Sequence, residues 1–165
     1  MILNKNIVET DSFLDINNDI YRIMTVLNGN QSLKRFLVYT DKKPLEGKSD
    51  ITTDLRDKQI SRTPILPYNE DEGSLIVVSL ISGEMDPKTS TMNTSLAIDV
   101  FTPGNQWIIN EGIRPLMIAH TINNIMRQEL KQTGGVKYRL TDIVNCQLSD
   151  ILLGYRLIYA VVIDD

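Results

Sequence analysis

Cysteine and histidine each occur once in this chain, as Cys146 and His120, and tryptophan once, as Trp107. One cysteine excludes an intrachain disulfide framework and a cysteine-rich zinc site, which fits folding in a reducing cytoplasm. The lone thiol reads as a small buried apolar side chain. One histidine, mid-helix with Glu111 and Asn124 as its helical neighbours at best, gives neither a metal-ligand set nor a triad, so His120 is expected on a helix surface or at an interface. Long apolar runs are also missing: Leu75 to Leu80 is far too short to span a bilayer. Asn4, Lys5, Asn6 and Glu9 interrupt Met1 to Thr10, so no secretory pattern is expected there. Basic residues are outnumbered, 17 against 21 acidic, for a net charge of -4. That balance argues against holding nucleic acid by neutralising many phosphates, apart from a small local basic patch.

What is present is an average globular composition, 42% hydrophobic and 23% charged over 165 residues. That length suits one domain with its own core. Three stretches are expected. Residues 1–40 carry a helical segment that packs on the core, 41–72 form an extended arm, and 73–165 form an α+β core. Ser12 to Leu27 is amphipathic, with Phe13, Ile16, Ile20, Ile23, Met24 and Leu27 at helical spacing and Asn28-Gly29-Asn30 as the stop. Gln31 to Tyr39 adds a shorter helix with Leu33, Phe36 and Leu37 inward, making a helical hairpin. From Asp41 to Glu72 no periodicity persists. The stretch reads either as an arm that orders on a partner or as a solvated connection pinned by apolar anchors, foremost Ile65 and Leu66 between Pro64 and Pro67.

The second half is regular. Strands are expected over about Leu75 to Ser82 and Thr94 to Thr102, a helix over Arg114 to Gln132, and strands over Val136 to Val144 and Tyr155 to Ile163. This β-β-α-β-β order predicts a mostly antiparallel sheet with a principal helix packed on one face. The first strand reads as covered on both faces and the second as half-buried, with Leu96, Ile98 and Val100 inward. The polar connection from Ser82 to Asn93 is long for a hairpin and reads as a projecting contact device. Pro115 suits the first turn of the helix, whose inner stripe is Ile118, Ile122, Ile125 and Met126 and whose stop is Gly134-Gly135. Gly154 marks the start of the last strand.

No catalytic, cofactor-binding or metal-binding set composes itself from these residues. Glu70-Asp71-Glu72 reads as a solvated turn, and Gly134-Gly135 lacks the Lys and Ser/Thr of a phosphate loop. Asp99 and Arg114 suit a salt bridge or a cap. Trp107 either closes the edge of the core or anchors a subunit contact. Candidate contacts, all of the subunit-interface kind, are Trp107, the hairpin residues Glu84, Asp86 and Lys88, and the arm residues Pro64, Ile65, Leu66 and Pro67.

In its order of elements, the Leu75 to Ile163 half resembles the tail-terminator and neck (head-tail joining) proteins of tailed bacteriophages. The matching features are the Ser74-Leu75-Ile76-Val77-Val78 strand, the polar hairpin, Ala97-Ile98-Asp99-Val100-Phe101, Trp107, Arg114-Pro115 with the helix Ile118 to Leu130, and Gly154-Tyr155-Arg156-Leu157-Ile158-Tyr159. The resemblance implies a non-enzymatic virion subunit without cofactors, assembled as a sixfold or twelvefold homo-oligomeric ring. Such a ring touches connector and tail proteins around a channel through which DNA passes without sequence-specific binding, away from any membrane. The alternatives are another virion ring component, from the connector or baseplate, and a small α+β ligand-binding protein or enzyme.

Overall fold

The computed structural model describes residues 12–64, 68–85, 88, 92–130 and 136–163. Helix α1 spans Ser12–Gly29 and α2 Gln31–Val38. Asn30 forms the joint, because its side chain accepts the Leu33 N–H at 2.9 Å while its own N–H reaches the Leu27 carbonyl at 3.2 Å. That satisfies donors which the start of α2 would otherwise leave bare. Strand β1 is the short Ile60–Ser61, β2 is Leu75–Met85 and β3 is Met92–Pro103. The two-residue strands β4 (Ile108–Ile109) and β5 (Gly112–Ile113) make a miniature hairpin before α3, Arg114–Gln128. Strands β6 (Val136–Gln147) and β7 (Leu152–Ile163) complete the chain.

The sheet order is β1-β2-β3-β7-β6, antiparallel throughout except where β1 runs parallel to β2. The architecture is the expected α+β one, with an N-terminal helical pair. Side chains alternate across a strand, so Ile76, Val78, Leu96, Ile98, Val100, Leu157 and Tyr159 point to one face and meet Ile23, Met24, Leu27, Leu33, Phe36 and the α3 stripe. The opposite face holds a smaller cluster of Tyr68, Leu75, Val77, Phe101 and Leu152. β2 is thus covered on both faces where Leu75 to Val78 lie.

Several boundaries differ from expectation. The β2–β3 ladder continues to the Met85–Met92 pair, so the hairpin connection shrinks to residues 86–91. β3 is more than half-buried, since Ala97 and Asp99 on its second face are also enclosed. Helix α3 stops at Gln128, where the Glu129 N–H closes on the Ile125 carbonyl at 2.9 Å and Leu130 turns into the core. Gly134 and Gly135 lie outside the described residues. Gly154 is interior to β7, not its start; a Cβ there would lie 1.7 Å from the Val100 carbonyl oxygen, so the close approach of β7 to β3 requires glycine.

The described part of 41–72 is tied to the helices. Gln31 and Ile51 bond each other in both directions, at 3.2 and 3.0 Å, and Asn28 accepts the Leu55 N–H at 2.9 Å. Leu55, Ile60 and Tyr68 are buried, which makes them the visible anchors; Ile65 and Leu66 lie outside the described residues.

Candidate functional site

The 104–114 segment turns the end of β3 into the start of α3 and fastens everything around it. After Pro103, the Gly104 N–H bonds to the Ile151 carbonyl at 3.1 Å. The Gln106 amide then donates to the carbonyls of Glu70 and Glu72 at 2.7 and 2.8 Å. Trp107 is half-buried, its indole N–H donating to the Thr102 carbonyl at 3.1 Å and its ring centroid 6.1 Å from that of Tyr155. The tryptophan is thus held by one hydrogen bond and one ring contact while part of it stays open to solvent.

The residues that follow it in the chain carry exposed apolar side chains. Ile108 is 64% exposed, its cross-strand partner Ile113 37%, and Leu116 at the opening of α3 39%. The remaining large exposed apolar side chains among the described residues are Ile81 on β2, Ile143 and Val144 on β6, and Tyr21 on α1. Only the last of these seven is away from both the Trp107 segment and the outer strands of the sheet. Exposed apolar clusters of this kind mark surfaces that meet something.

An open groove of about 520 Å³ runs past Trp107, Tyr155, Leu153, Asn145, Cys146 and Gln147, and none of these side chains is charged. Burial, with the Asp99 charge second, pushes the Cys146 thiol up to about 11, so it stays protonated and weakly nucleophilic at neutral pH. Asp99, enclosed in the sheet, is bridged at both oxygens by Arg156, at 2.7 and 2.8 Å. His120 is exposed and shares a 3.0 Å hydrogen bond with Asn124 one turn along. Among the described residues no group of three His, Cys, Asp or Glu side chains stands close enough to hold a metal ion.

Arg114, fully buried, has a structural task. Its guanidinium donates to the carbonyls of Gln106 at 3.0 Å, Phe36 at 3.0 Å and Tyr39 at 2.5 Å, and also to that of Asp41. It thus caps the C-terminal end of α2, where unpaired carbonyls and the helix dipole favour a cation. Burial lowers its pKa, while Asp41 and Glu111 push it back up.

Two of the sequence-derived contact residues, Trp107 and Glu84, lie far apart. Trp107 sits by Thr102 at one end of β3, whereas Glu84 pairs with Asn93 at the other. The intervening strand spans about 30 Å. Lys88 is exposed in the connecting turn and Pro64 is exposed in the arm, while Asp86, Ile65, Leu66 and Pro67 lie outside the described residues. Sequence reasoning missed Ile108, Ile113 and Leu116, and also the exposed outer strand β6. The signal for β6 was available, since Lys137, Arg139 and Asp142 spaced through an apolar strand are what an edge position tolerates.

Known proteins add one relationship. No curated protein and no solved structure matches the chain. A family model described as YomW, a phage-associated family, matches residues 30–161, from the cap of α2 almost to the end of β7. Because the match takes in α2, the sheet and α3 together, the chain belongs to the YomW family and is of phage type.

Proposed function

We propose that this chain is a structural virion protein, a ring-forming subunit at the tail terminator or neck that joins a phage tail to the head connector around the DNA channel. It acts without cofactor or catalysis. The observation that carries the proposal is where the exposed apolar side chains lie: after Trp107 in the chain at Ile108, Ile113 and Leu116, and on the outer strands at Ile81, Ile143 and Val144. A subunit that must bind its own copies and two neighbours needs several such surfaces, and aromatic residues are favoured at their centres. The phage association of the family and the β-β-α-β-β order are consistent with this station. A net charge of -4 suits a channel wall along which DNA slides without adhering.

Native mass spectrometry of the purified protein, together with electron microscopy of particles carrying a tagged copy, tests the proposal. Closed rings of six or twelve subunits and label at the head-tail junction are the expected results. Label in the baseplate or connector would move the ring to another station. Its absence from the particle would overturn the virion role. The 520 Å³ groove beside Tyr155 favours a small-ligand binder as the second reading. Saturable binding of a small molecule by a protein absent from particles would favour that reading.

A further inference from the structure

The four long strands β2, β3, β7 and β6 alternate in direction, so the two outer ones run opposite ways. Such a sheet can be continued by another copy placed head to tail, because β6 of one molecule meets β2 of the next as an antiparallel neighbour. Among the described residues no strand fully covers either outer edge. Strand β1 pairs with Ile76 and Val77 on β2, no described strand pairs with the outer side of its far half, and no described strand lies outside β6.

The two edges also correspond in level and in charge. Ser82 is paired with Ser95, Ser95 with Ala160 and Ala160 with Arg139, so Ser82 and Arg139 end the same row of the sheet. Two residues further toward the hairpin stand Glu84 on β2 and Lys137 on β6. At this end of the sheet one edge therefore carries an acidic position where the other carries two basic ones; Asp142 stands three residues beyond Arg139, outside this stretch. Arg139 is exposed and forms no ion pair among the described residues. Both strands are bulged beside the adjacent row, which runs Leu80, Leu96, Tyr159, Leu140: β2 on the hairpin side, between Leu80 and Ser82, and β6 on the other side, between Leu140 and Asp142; the β2 bulge leaves Ile81 42% exposed. Bulges and edge charges ordinarily discourage pairing with arbitrary strands. Here the charges are opposite on the two edges, so they disfavour like edges and favour the unlike one.

From this we infer that the far half of β2 is a docking edge for β6 of a second copy of this chain, with the Glu84 position set against the Lys137 and Arg139 positions. This deepens the ring reading and rests on it. The contact is heterologous, so it propagates from copy to copy and ends only when a ring closes.

Charge exchange followed by native mass spectrometry tests it. Glu84→Arg alone, and Lys137→Glu with Arg139→Glu, should each weaken self-association about tenfold or more, as lost charge complementarity at a small interface does. The three substitutions in one chain should restore it. Mixing the two defective proteins should also restore it, giving oligomers that alternate the two variants. Circular dichroism on each variant separates lost association from lost folding.

Wild-type assembly with folded variants that associate normally would overturn the edge contact and leave the ring reading standing. The edge contact also falls if Glu84→Arg is silent while the β6 variant fails, since that indicates β6 paired with itself. Rescue by exchange, in a protein absent from the neck of particles, would uphold the edge contact and overturn the station. A wild-type chain that stays monomeric at every concentration would overturn both.

Discussion

The Arg114 guanidinium donates to the Phe36 carbonyl at 3.0 Å, joining the first residue of α3 to the last turn of α2 across 78 positions of chain. With the carbonyls of Gln106, Tyr39 and Asp41 it leaves α3, the 104–106 turn and the end of α2 held by one side chain. Replacing it with Ala strands buried acceptors, each worth about 1–3 kcal/mol, so the variant should lose at least about 3 kcal/mol in urea unfolding. Arg114→Lys should recover less than half of that, because one ammonium cannot follow the guanidinium fork. A loss under about 1 kcal/mol for Arg114→Ala would refute the clamp.

Asp99 and Arg156 form an asymmetric pair, with side-chain exposures of 7% and 39%. Removing the exposed partner should cost more than removing the enclosed one. Arg156→Ala leaves a carboxylate inside the sheet without its cation, a loss of about 2–4 kcal/mol after allowance for partial solvation. Asp99→Ala leaves a guanidinium that water can reach, a loss of about 1–2 kcal/mol. The reverse order in denaturant titrations would show that Asp99 has other support.

Gly154→Ala should be among the most damaging single changes. The new methyl would meet the Val100 carbonyl oxygen at 1.7 Å, and both partners are backbone in the middle of the sheet. Separating β7 from β3 there costs about 3 kcal/mol or more, by analogy with overpacking in a core that cannot yield. Soluble expression with an unchanged melting temperature would contradict this geometry.

Cys146 should make stability fall in alkali. Burial raises its folded pKa from an ordinary value near 9 to about 11, so the stabilising contribution is complete below about pH 9 and is lost as pH rises through about 11. Tyr159, also raised by burial, adds a loss in the same direction above about pH 10. Urea midpoints measured across this window should fall less steeply for Cys146→Ala than for the wild type. Identical slopes would mean the thiol is not protected from solvent.

Trp107→Ala should separate assembly from folding. The half-buried ring gives up one hydrogen bond to Thr102 and its contact with Tyr155, a cost of about 1–2 kcal/mol. Ring formation in sedimentation should weaken well beyond what that loss explains, since Trp107 directly precedes exposed Ile108, whose cross-strand partner is exposed Ile113. Global unfolding would place Trp107 in the core, and unchanged assembly would remove this surface from the contact.

The sequence by itself determined the local elements. Period-two runs such as Leu96, Ile98 and Val100, and the helical stripe Ile118, Ile122, Ile125 and Met126, specify which residues share a face, because backbone geometry fixes those periods before any tertiary contact forms. It also bounded the cysteine chemistry: with one cysteine there is neither an intrachain disulfide nor a cysteine-rich zinc site. Tertiary structure decided what depends on pairing between distant segments. That β7 lies between β3 and β6, that Gly154 must pass within touching distance of Val100, and that Arg114 caps a helix 75 residues earlier in the chain are long-range choices that local spacing does not encode. The same holds for which described strands lie outermost, since a strand becomes an edge only when the rest of the sheet has found its order.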